Sequence, residues 1–306
     1  MWFDGATGGD YAGGYGSYTT SEKRTIDNSQ TYYDIPNLRD SIHNLLPDVV
    51  MWGVGDEVRW IGNENGYSGQ TCWSMGDGET GSEYAWMWAA GESDARSTKG
   101  WFWDSNLDNE VKTAETLFKM YLETVGRNAT LLLNLPPNRA GLIDDSVAEQ
   151  MEALGDLLDK RLGTDLAKSA TVTADCTREA MGNGNYEARN LIDGNKDTYW
   201  TTPDGSKKAV IELKWDTPQT VRYVSLMEYI KLGQRIKKFK IETSEDGVTF
   251  TKRGGNQATT TVGYKRIIPL NGSTAEYSTD GYMAKAIRIT IENSGSCPLL
   301  HTIEVF

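Results

Sequence analysis

Histidine and cysteine are both scarce in this chain. Its 306 residues include only two histidines, His43 and His301, and three cysteines, Cys72, Cys176 and Cys297. A histidine-dependent triad or a multi-histidine metal centre would have to use those two imidazoles, so neither is favoured. The absence of CxxC spacing argues against a zinc ribbon or a thioredoxin-like motif. Cys176 and Cys297 could form a disulfide in an oxidising compartment or remain two buried thiols.

An excess of positive charge and long apolar runs are also missing. The chain has 31 Lys and Arg against 43 Asp and Glu, a net charge of −12, with no clustered basic face. Nucleic acid and anionic membranes are therefore not expected partners. No apolar run reaches the roughly 18 residues that span a bilayer, and no signal peptide is visible. Strand-like residues directly follow Met1, so we expect the sequence to be an N-terminally truncated fragment.

Apolar and aromatic residues are plentiful. Hydrophobic residues make up 38% of the chain, which also contains 32 Gly, 10 Trp and 15 Tyr. This composition and length are typical of a globular protein of about two domains. Many tryptophans and tyrosines suit a surface that stacks on sugar rings, although ordinary core packing explains them equally well. Neutral ligands fit this chain better than anionic ones, and carboxylates are its most plausible catalytic groups.

The first 160 residues or so alternate between predicted helices and strands. Apolar spacing predicts helices at 35–46, 110–126 and 144–163, and short buried strands at 49–54 and 130–137. Strand and helix in alternation are typical of a parallel sheet or barrel, which places this part in the α/β class.

The pattern changes from about residue 168. Short runs of alternating polarity are separated by polar turns, as in an antiparallel β-sandwich. We take 162–170 as the linker. The predicted strands are 208–215, 220–230, 237–246, 264–270 and 285–292.

Asp4 stands where a strand should end. The opening MWFDGATGG runs from an apolar pair into Asp4 and then into glycines. A carboxylate at the carboxyl end of a strand is how parallel α/β proteins present a reactive group. The alternative is an Asp that caps the following turn.

Glu64 is the candidate partner of Asp4. It lies in the segment 55–75, which follows the predicted strand 49–54 and should reach the same edge of the sheet. Two carboxylates at a barrel mouth are the machinery of glycoside hydrolysis. Trp60 is close in sequence, and an aromatic shell can raise the pKa of a general acid. Asp56 and Glu57 are alternatives, and any of the three could be a solvated loop acid.

Four motifs occur in order along this region. They are WFDGA at 2–6, VRWIGNENG at 58–66, GWFW at 100–103 and GRNATLLLNLPPNRAGLI at 126–143. Together they resemble the catalytic domain of glycoside hydrolase family 29, the α-L-fucosidases, and especially the subgroup that cleaves α-1,3/4-linked fucose. The resemblance implies that residues 1–163 form the C-terminal half of a (β/α)8-like barrel.

The resemblance also assigns roles to residues. It implies that Asp4 is the nucleophile of a retaining double displacement and Glu64 the acid/base. It places an aromatic residue of the GWF segment, Trp101 or Trp103, in the fucose site, with packing under the loop as the alternative; Trp60 is a further substrate-binding candidate. Asp104 stands where the family pattern usually has His.

The implied function is an exo-acting α-L-fucosidase that acts on fucosylated oligosaccharides or glycoconjugates. No cofactor is needed for catalysis, and an extracellular or periplasmic location is expected. The earlier strands of the barrel are absent from this sequence, so the chain alone should be inactive or poorly folded. Alternatives are a retaining hydrolase for another sugar, or a non-catalytic carbohydrate-binding protein that acts through its β-sandwich.

The second region contains NLIDGNKDTYWTT at 190–202 and ends with LLHTIEVF at 299–306. With the strands between them, these segments resemble the discoidin-like sandwiches of factor V/VIII C domains and carbohydrate-binding module family 32, which implies a jelly-roll sandwich over 168–306. Such modules often hold a structural calcium through oxygen ligands. A tight turn held by Asp193 and Gly194 without metal is the alternative. The calcium ligands implied by the resemblance are Asp193, Asp197, Thr198 and Glu304.

Overall fold

A computed structural model describes residues 1–3, 29–52, 57–105, 110–182, 184–274 and 281–306. Asp4 and Asp56 therefore lie outside the described residues. The described chain contains an α/β region followed by an antiparallel sandwich. No helix in this described part is long and apolar enough to cross a membrane.

A parallel sheet forms the centre of the α/β region. Its strands have the order β1-β2-β3, with Val58 opposite Ala90 and Gly91 opposite Ala129. Trp52 forms parallel bridges to both Trp2 and Val58, which extends the pairing to the start of the chain. The elements are helices α1 Ser29–Tyr32, α2 Ile35–Leu45, α3 Ala114–Glu123 and α4 Asp145–Leu162, and strands β1 Val58–Trp60, β2 Ala90–Arg96 and β3 Ala129–Asn134.

The three helices predicted from apolar spacing are confirmed, with α3 shorter than predicted. Pro36 lies in the first turn of α2, where its missing N–H costs nothing. Thr113 caps α3 by accepting a hydrogen bond from the Thr116 amide. Helix α4 begins after Asp144 and ends at Gly163. The predicted helix positions therefore agree with the structure, although the Asp144 side chain makes no cap hydrogen bond.

The strands of the α/β region were predicted less well. Of the predicted strand 49–54, the described residues contain only the bridge residue Trp52. Strand β1 lies inside the segment 55–75, where no strand was predicted, and β2 was not predicted either. The sequence of β2, AGESDAR, is polar and has no apolar alternation. It becomes a strand because β1 and β3 pair with it on both sides.

The sandwich consists of two antiparallel sheets. One has five strands in the order β4-β6-β11-β8-β9, and the other has four in the order β10-β7-β12-β5. The strands are β4 Thr171–Ala174, β5 Trp200–Thr201, β6 Ala209–Val221, β7 Tyr223–Glu228, β8 Ile236–Ser244, β9 Thr251–Lys252, β10 Arg266–Pro269, β11 Tyr282–Ser294 and β12 Leu299–Val305.

Alternating side chains fill the space between the two sheets. Ile287, Ile289 and Ile291 of β11 point inward and are fully buried beside Trp200 and Phe239. This burial explains why the alternating runs were recognisable as strands. The boundary between the predicted strands 208–215 and 220–230 lies later than predicted, because β6 continues to Val221 before β7 begins.

The α/β region packs directly on the sandwich. Leu117 and Phe118 of α3 belong to one apolar cluster with Tyr223, Ile267 and Phe306. Helix α3 therefore buries its apolar face against sandwich residues as well as against β2 and α4.

A buried polar joint lies beside this apolar contact. The Cys72 amide donates to Thr261 Oγ1 at 2.8 Å, and the Ser74 amide donates to Gln234 Oε1 at 2.8 Å. Asn128 donates from Nδ2 to the Cys72 carbonyl at 2.9 Å. The sandwich thus supplies side-chain acceptors for backbone amides of the chain that follows β1.

Of the two alternatives for Cys176 and Cys297, a disulfide or two separate thiols, the structure has the separate thiols. Cys176 and Cys297 are both free thiols, and only Cys297 is buried. Their sulfur atoms have different surroundings, since Cys176 Sγ lies 3.9 Å from the Lys208 carbonyl oxygen and Cys297 Sγ lies 3.1 Å from Arg235 Nη1.

Candidate active site

Glu64 lies in the loop that follows β1, at the carboxyl edge of the parallel sheet. Its carboxylate is exposed, and Trp101 Nε1 donates a hydrogen bond to Glu64 Oε2 at 3.1 Å. Trp101 comes from the loop after β2, and Asn134 at the end of β3 donates to its carbonyl oxygen at 2.9 Å. The Arg96 guanidinium lies 5.5 Å from the centre of the Trp101 ring. Three successive strand ends thus converge around Glu64.

The loop that carries Glu64 has a defined backbone. Asn63 accepts from the Asn65 amide at 3.1 Å and donates to the Tyr67 carbonyl at 2.9 Å. Gly66 has φ 65°, and a Cβ there would lie 2.3 Å from Met120 Cε of α3. Since glycine alone combines this φ with so close an approach, the GNENG sequence sets where Glu64 is presented.

Trp60 and Trp103 have different environments. Trp60 is half exposed, and its Nε1 donates to Asp94 Oδ1 at 2.7 Å. Trp103 Nε1 donates to Asp144 Oδ2 at 2.6 Å, just before α4 begins. Trp103 also lines an open cleft of about 540 Å³ together with Asn138. The structure therefore joins Trp101 to Glu64, whereas Trp60 and Trp103 hydrogen-bond to other carboxylates. The substrate-binding roles of the three remain predictions.

The carboxylate of Glu57, the alternative acid, is held by hydrogen bonds from neighbouring residues. His43 Nε2 of α2 lies 2.5 Å from Glu57 Oε1, and the Met51 amide donates to Glu57 Oε2 at 2.7 Å. Burial raises the pKa of Glu57, but the hydrogen bonds from Met51 and His43 outweigh it and lower the pKa overall. A lowered pKa does not suit a general acid, so Glu64 is the better candidate of the two.

Two buried carboxylates on β2 were not identified from the sequence. Glu92 is 2% exposed and Asp94 is 7% exposed. Burial, reinforced by the charge of Asp94, raises the pKa of Glu92 to about 7, although a hydrogen bond from the Trp2 side chain opposes the shift. Among the described residues, Glu92 Oε1 has no hydrogen-bond partner. The spacing of two acids at i and i+2 was the available signal, but it has meaning only once β2 is known to be a strand.

The candidate calcium residues of the 190–202 loop form a hydrogen-bonded turn. Asp193 Oδ1 accepts from the Asn195 amide at 2.8 Å, and Asp193 Oδ2 accepts from Thr198 Oγ1 at 2.6 Å. Asp197 pairs with Lys231 at 2.6 Å. Asp193 and Thr198 therefore lie together, while Asp197 faces an ammonium group.

Glu304 lies on β12, where it pairs with Lys265 at 3.4 Å. Within the described ranges, no three His, Cys, Asp or Glu side chains form a group that could hold a metal ion. Two of the three candidate carboxylates thus have lysine partners, and as placed the set does not fit a calcium site. The calcium ion remains a prediction, and no step below depends on it.

A carboxylate beside tryptophans at the carboxyl edge of a parallel sheet is typical of the class of glycoside hydrolases. The chain belongs to the alpha-L-fucosidase family, whose sequence profile matches residues 1–161. The F5/8 type C domain profile matches residues 169–303. These matches confirm both resemblances and the predicted fold class, a partial (β/α)8-like barrel followed by a discoidin-like sandwich.

Known relatives agree with this assignment. The chain is 30% identical to alpha-L-fucosidase 1 of Arabidopsis thaliana over 243 residues, which cover 74% of the chain and 47% of that protein. A Ruminococcus gnavus GH29 fucosidase in complex with fucose is 30% identical with a TM-score of 0.79, over 95% of this chain and 59% of that one. A glycoside hydrolase 29 family member from an unknown rumen bacterium is 26% identical with a TM-score of 0.74. The match covers 100% of this chain and 50% of that one. The chain spans about half the length of the curated relatives it matches.

Proposed function

We propose that this chain carries the catalytic carboxylates of an exo-acting α-L-fucosidase that releases α-1,3/4-linked fucose with retention of configuration. The observation that carries the proposal is the position of Glu64. It lies at the carboxyl edge of the sheet with one carboxylate oxygen held by the Trp101 indole, in a chain of the alpha-L-fucosidase family. The fucose complex of the Ruminococcus gnavus relative supports fucose as the sugar.

The proposed mechanism is a double displacement. Asp4 attacks the anomeric carbon of fucose and forms an ester while the glycosidic C–O bond breaks, and Glu64 donates its proton to the leaving oxygen. Water then attacks the same carbon and releases Asp4, and Glu64 accepts the proton of that water. The Trp101 hydrogen bond would orient the Glu64 carboxyl group through both steps. A fucosylated oligosaccharide or glycoconjugate outside the cell or in the periplasm is the proposed substrate.

The test uses the longest natural protein that contains this sequence, with Asp4→Ala and Glu64→Ala variants. We expect Asp4→Ala to release no fucose from either a Lewis-type trisaccharide or an activated aryl fucoside. Glu64→Ala should keep more activity on the aryl fucoside, because that leaving group needs little protonation. Asp77→Ala is the matched control, since Asp77 is an exposed acid between β1 and β2. Wild-type rates in both catalytic variants would show that these carboxylates have no catalytic role.

A second candidate function is glycan binding by the sandwich. Tyr199 stacks on Tyr229 at 4.4 Å between ring centres, and Tyr186 lies 5.3 Å from Tyr199. The three half-buried rings lie beside the Asp197–Lys231 ion pair, so aromatic faces and polar groups occur together. Such combinations suit sugar binding. Calorimetric titration of fucosylated oligosaccharides should show binding that Tyr199→Ala weakens and Tyr264→Ala, a control at an exposed tyrosine, preserves. Equal affinity in both variants would contradict this candidate.

A further inference from the structure

The central strand of the parallel sheet presents two acids on one face. Strand β2 pairs with β1 on one side and with β3 on the other. Ala95 belongs to the apolar cluster that contains Leu117 and Phe118 of α3. Since neighbouring side chains of a strand point to opposite faces, Glu92 and Asp94 lie on the face away from α3. On the barrel interpretation, this face is the interior.

Each acid faces the side chain of a different tryptophan. The Trp2 side chain lies close enough to the Glu92 carboxyl group to lower its pKa, against the larger effect of burial. Trp60 Nε1 donates to Asp94 Oδ1 at 2.7 Å. Trp2 comes two residues before Asp4, and Trp60 comes four residues before Glu64. The two tryptophans are therefore at the ends of the segments that lead into the two proposed catalytic carboxylates.

Burial does not hold these indoles in place. Trp2 is 42% exposed and Trp60 is 51% exposed, whereas Glu92 and Asp94, the acids that they face, are almost completely buried. The fixed partner in each pair is thus the carboxyl group on the central strand. Hydrogen bonds to buried acceptors are directional, so they define where each ring lies.

The charges of the pair are compatible with this arrangement. Burial, reinforced by the negative charge of Asp94, raises the pKa of Glu92 and favours a proton on it. A protonated carboxyl group still accepts a hydrogen bond through its carbonyl oxygen. Glu92 can therefore hold Trp2 without placing a second full negative charge beside Asp94.

We propose that Glu92 and Asp94 are positioning residues that place Trp2 and Trp60 and thereby set the spacing between the segments carrying Asp4 and Glu64. Neither acid has to contact the sugar. This inference rests on the proposed function, because it concerns the geometry of the same reaction. It extends that function by assigning a role to the central strand, which supplies neither of the two proposed catalytic residues.

The hydrogen bonds can be tested without any activity measurement. In the longest natural protein that contains this sequence, labelled with 15N-tryptophan, Trp2→Phe and Trp60→Phe identify the two indole N–H signals. Asp94→Ala should move the Trp60 signal upfield and leave the Trp2 signal in place, and Glu92→Ala should do the reverse. Asp94→Asn and Glu92→Gln keep an acceptor oxygen and should retain most of the original shift. Unmoved indole signals in both alanine variants would overturn the proposal.

The positioning role is tested by kinetics on the same proteins. We expect each alanine variant to lower kcat about tenfold to a hundredfold with a smaller change in KM, because small displacements of reacting groups are costly. The amide variants should recover most of kcat. If an alanine variant does not fold, the tryptophan variants test the same hydrogen bond from its donor side. In a double-mutant cycle, Trp60→Phe should add little to the loss caused by Asp94→Ala, because that variant has already removed the acceptor.

The outcomes separate this inference from the proposed function. Loss of activity in Asp4→Ala and Glu64→Ala, with wild-type kcat in the Glu92 and Asp94 variants, would overturn the positioning role alone. Wild-type activity in Asp4→Ala and Glu64→Ala would overturn the proposed function, and the positioning role with it.

Discussion

The sandwich and the α/β region use buried strands in different ways. Strand β11 of the sandwich buries isoleucines at alternate positions, and each packs against apolar neighbours. Strand β2 of the α/β region is equally buried but contains Glu92, Ser93 and Asp94. Apolar burial stabilises the first strand directly, whereas buried polar groups are tolerated only if they find partners. Apolar burial therefore stabilises the sandwich, whereas the buried acids of β2 need polar partners beside the proposed site.

Separation of the two regions gives the largest expected effect. A fragment of residues 164–306 should fold, because its core lies between its own two sheets. A fragment of residues 1–163 should not, because α3 would expose the face that packs on Tyr223, Ile267 and Phe306. Circular dichroism melting and amide NMR dispersion of the two fragments measure this difference. Cooperative melting of residues 1–163 alone would contradict it.

Truncation in the sandwich core should be the next largest effect. Trp200 is fully buried between the sheets, so Trp200→Ala should lower the free energy of unfolding by about 3–5 kcal/mol. Val248 is 79% exposed, and Val248→Ala should change the free energy of unfolding by less than about 0.5 kcal/mol. Urea denaturation measures both values. A similar loss in the two variants would mean that the sandwich core is not the main source of stability.

Asn128 tests the polar joint between the regions. It has φ 63° and is buried, it accepts from the Tyr264 amide at 2.7 Å, and it donates to the Cys72 carbonyl. Asn128→Ala should lower the free energy of unfolding by about 2–4 kcal/mol, because alanine is strained in a left-handed backbone and leaves buried polar groups unpaired. Asn128→Gly removes the strain and should cost about 1–3 kcal/mol. Urea denaturation should show a larger loss for Asn128→Ala than for Asn128→Gly. Equal losses would exclude a contribution of backbone strain to the cost of the alanine variant.

The smallest effect is expected at the loop of the candidate calcium residues. Lys231 and Asp197 form an exposed ion pair, so Lys231→Ala should leave the melting temperature within experimental error in the presence of a chelator. The variant frees the Asp197 carboxylate. If this loop binds calcium, added calcium should raise the melting temperature, and more in Lys231→Ala than in the wild type. Equal melting temperatures with calcium and with chelator in both proteins would argue against a calcium site.

Local sequence signals account for much of the fold and for part of the site. Asp144 and Gly163 marked the ends of α4, and alternating isoleucines marked β11, because each signal acts over a few neighbouring residues. Strand β2 was missed because its conformation depends on pairing with strands distant in sequence. Glu64 was identified by its motif, but the hydrogen bond from Trp60 to Asp94, 34 residues further along, follows only from the sheet register.

The joint between the regions has a consequence for inheritance and for protein engineering. The amides of Cys72 and Ser74, in the chain that leads away from Glu64, have their hydrogen-bond acceptors on Thr261 and Gln234 of the sandwich. A foreign sandwich spliced in at the linker would leave these buried N–H groups unpaired, at a cost of about 1–3 kcal/mol each. Another sandwich domain therefore cannot replace this one without loss of stability. We expect recombination to transfer the two regions together.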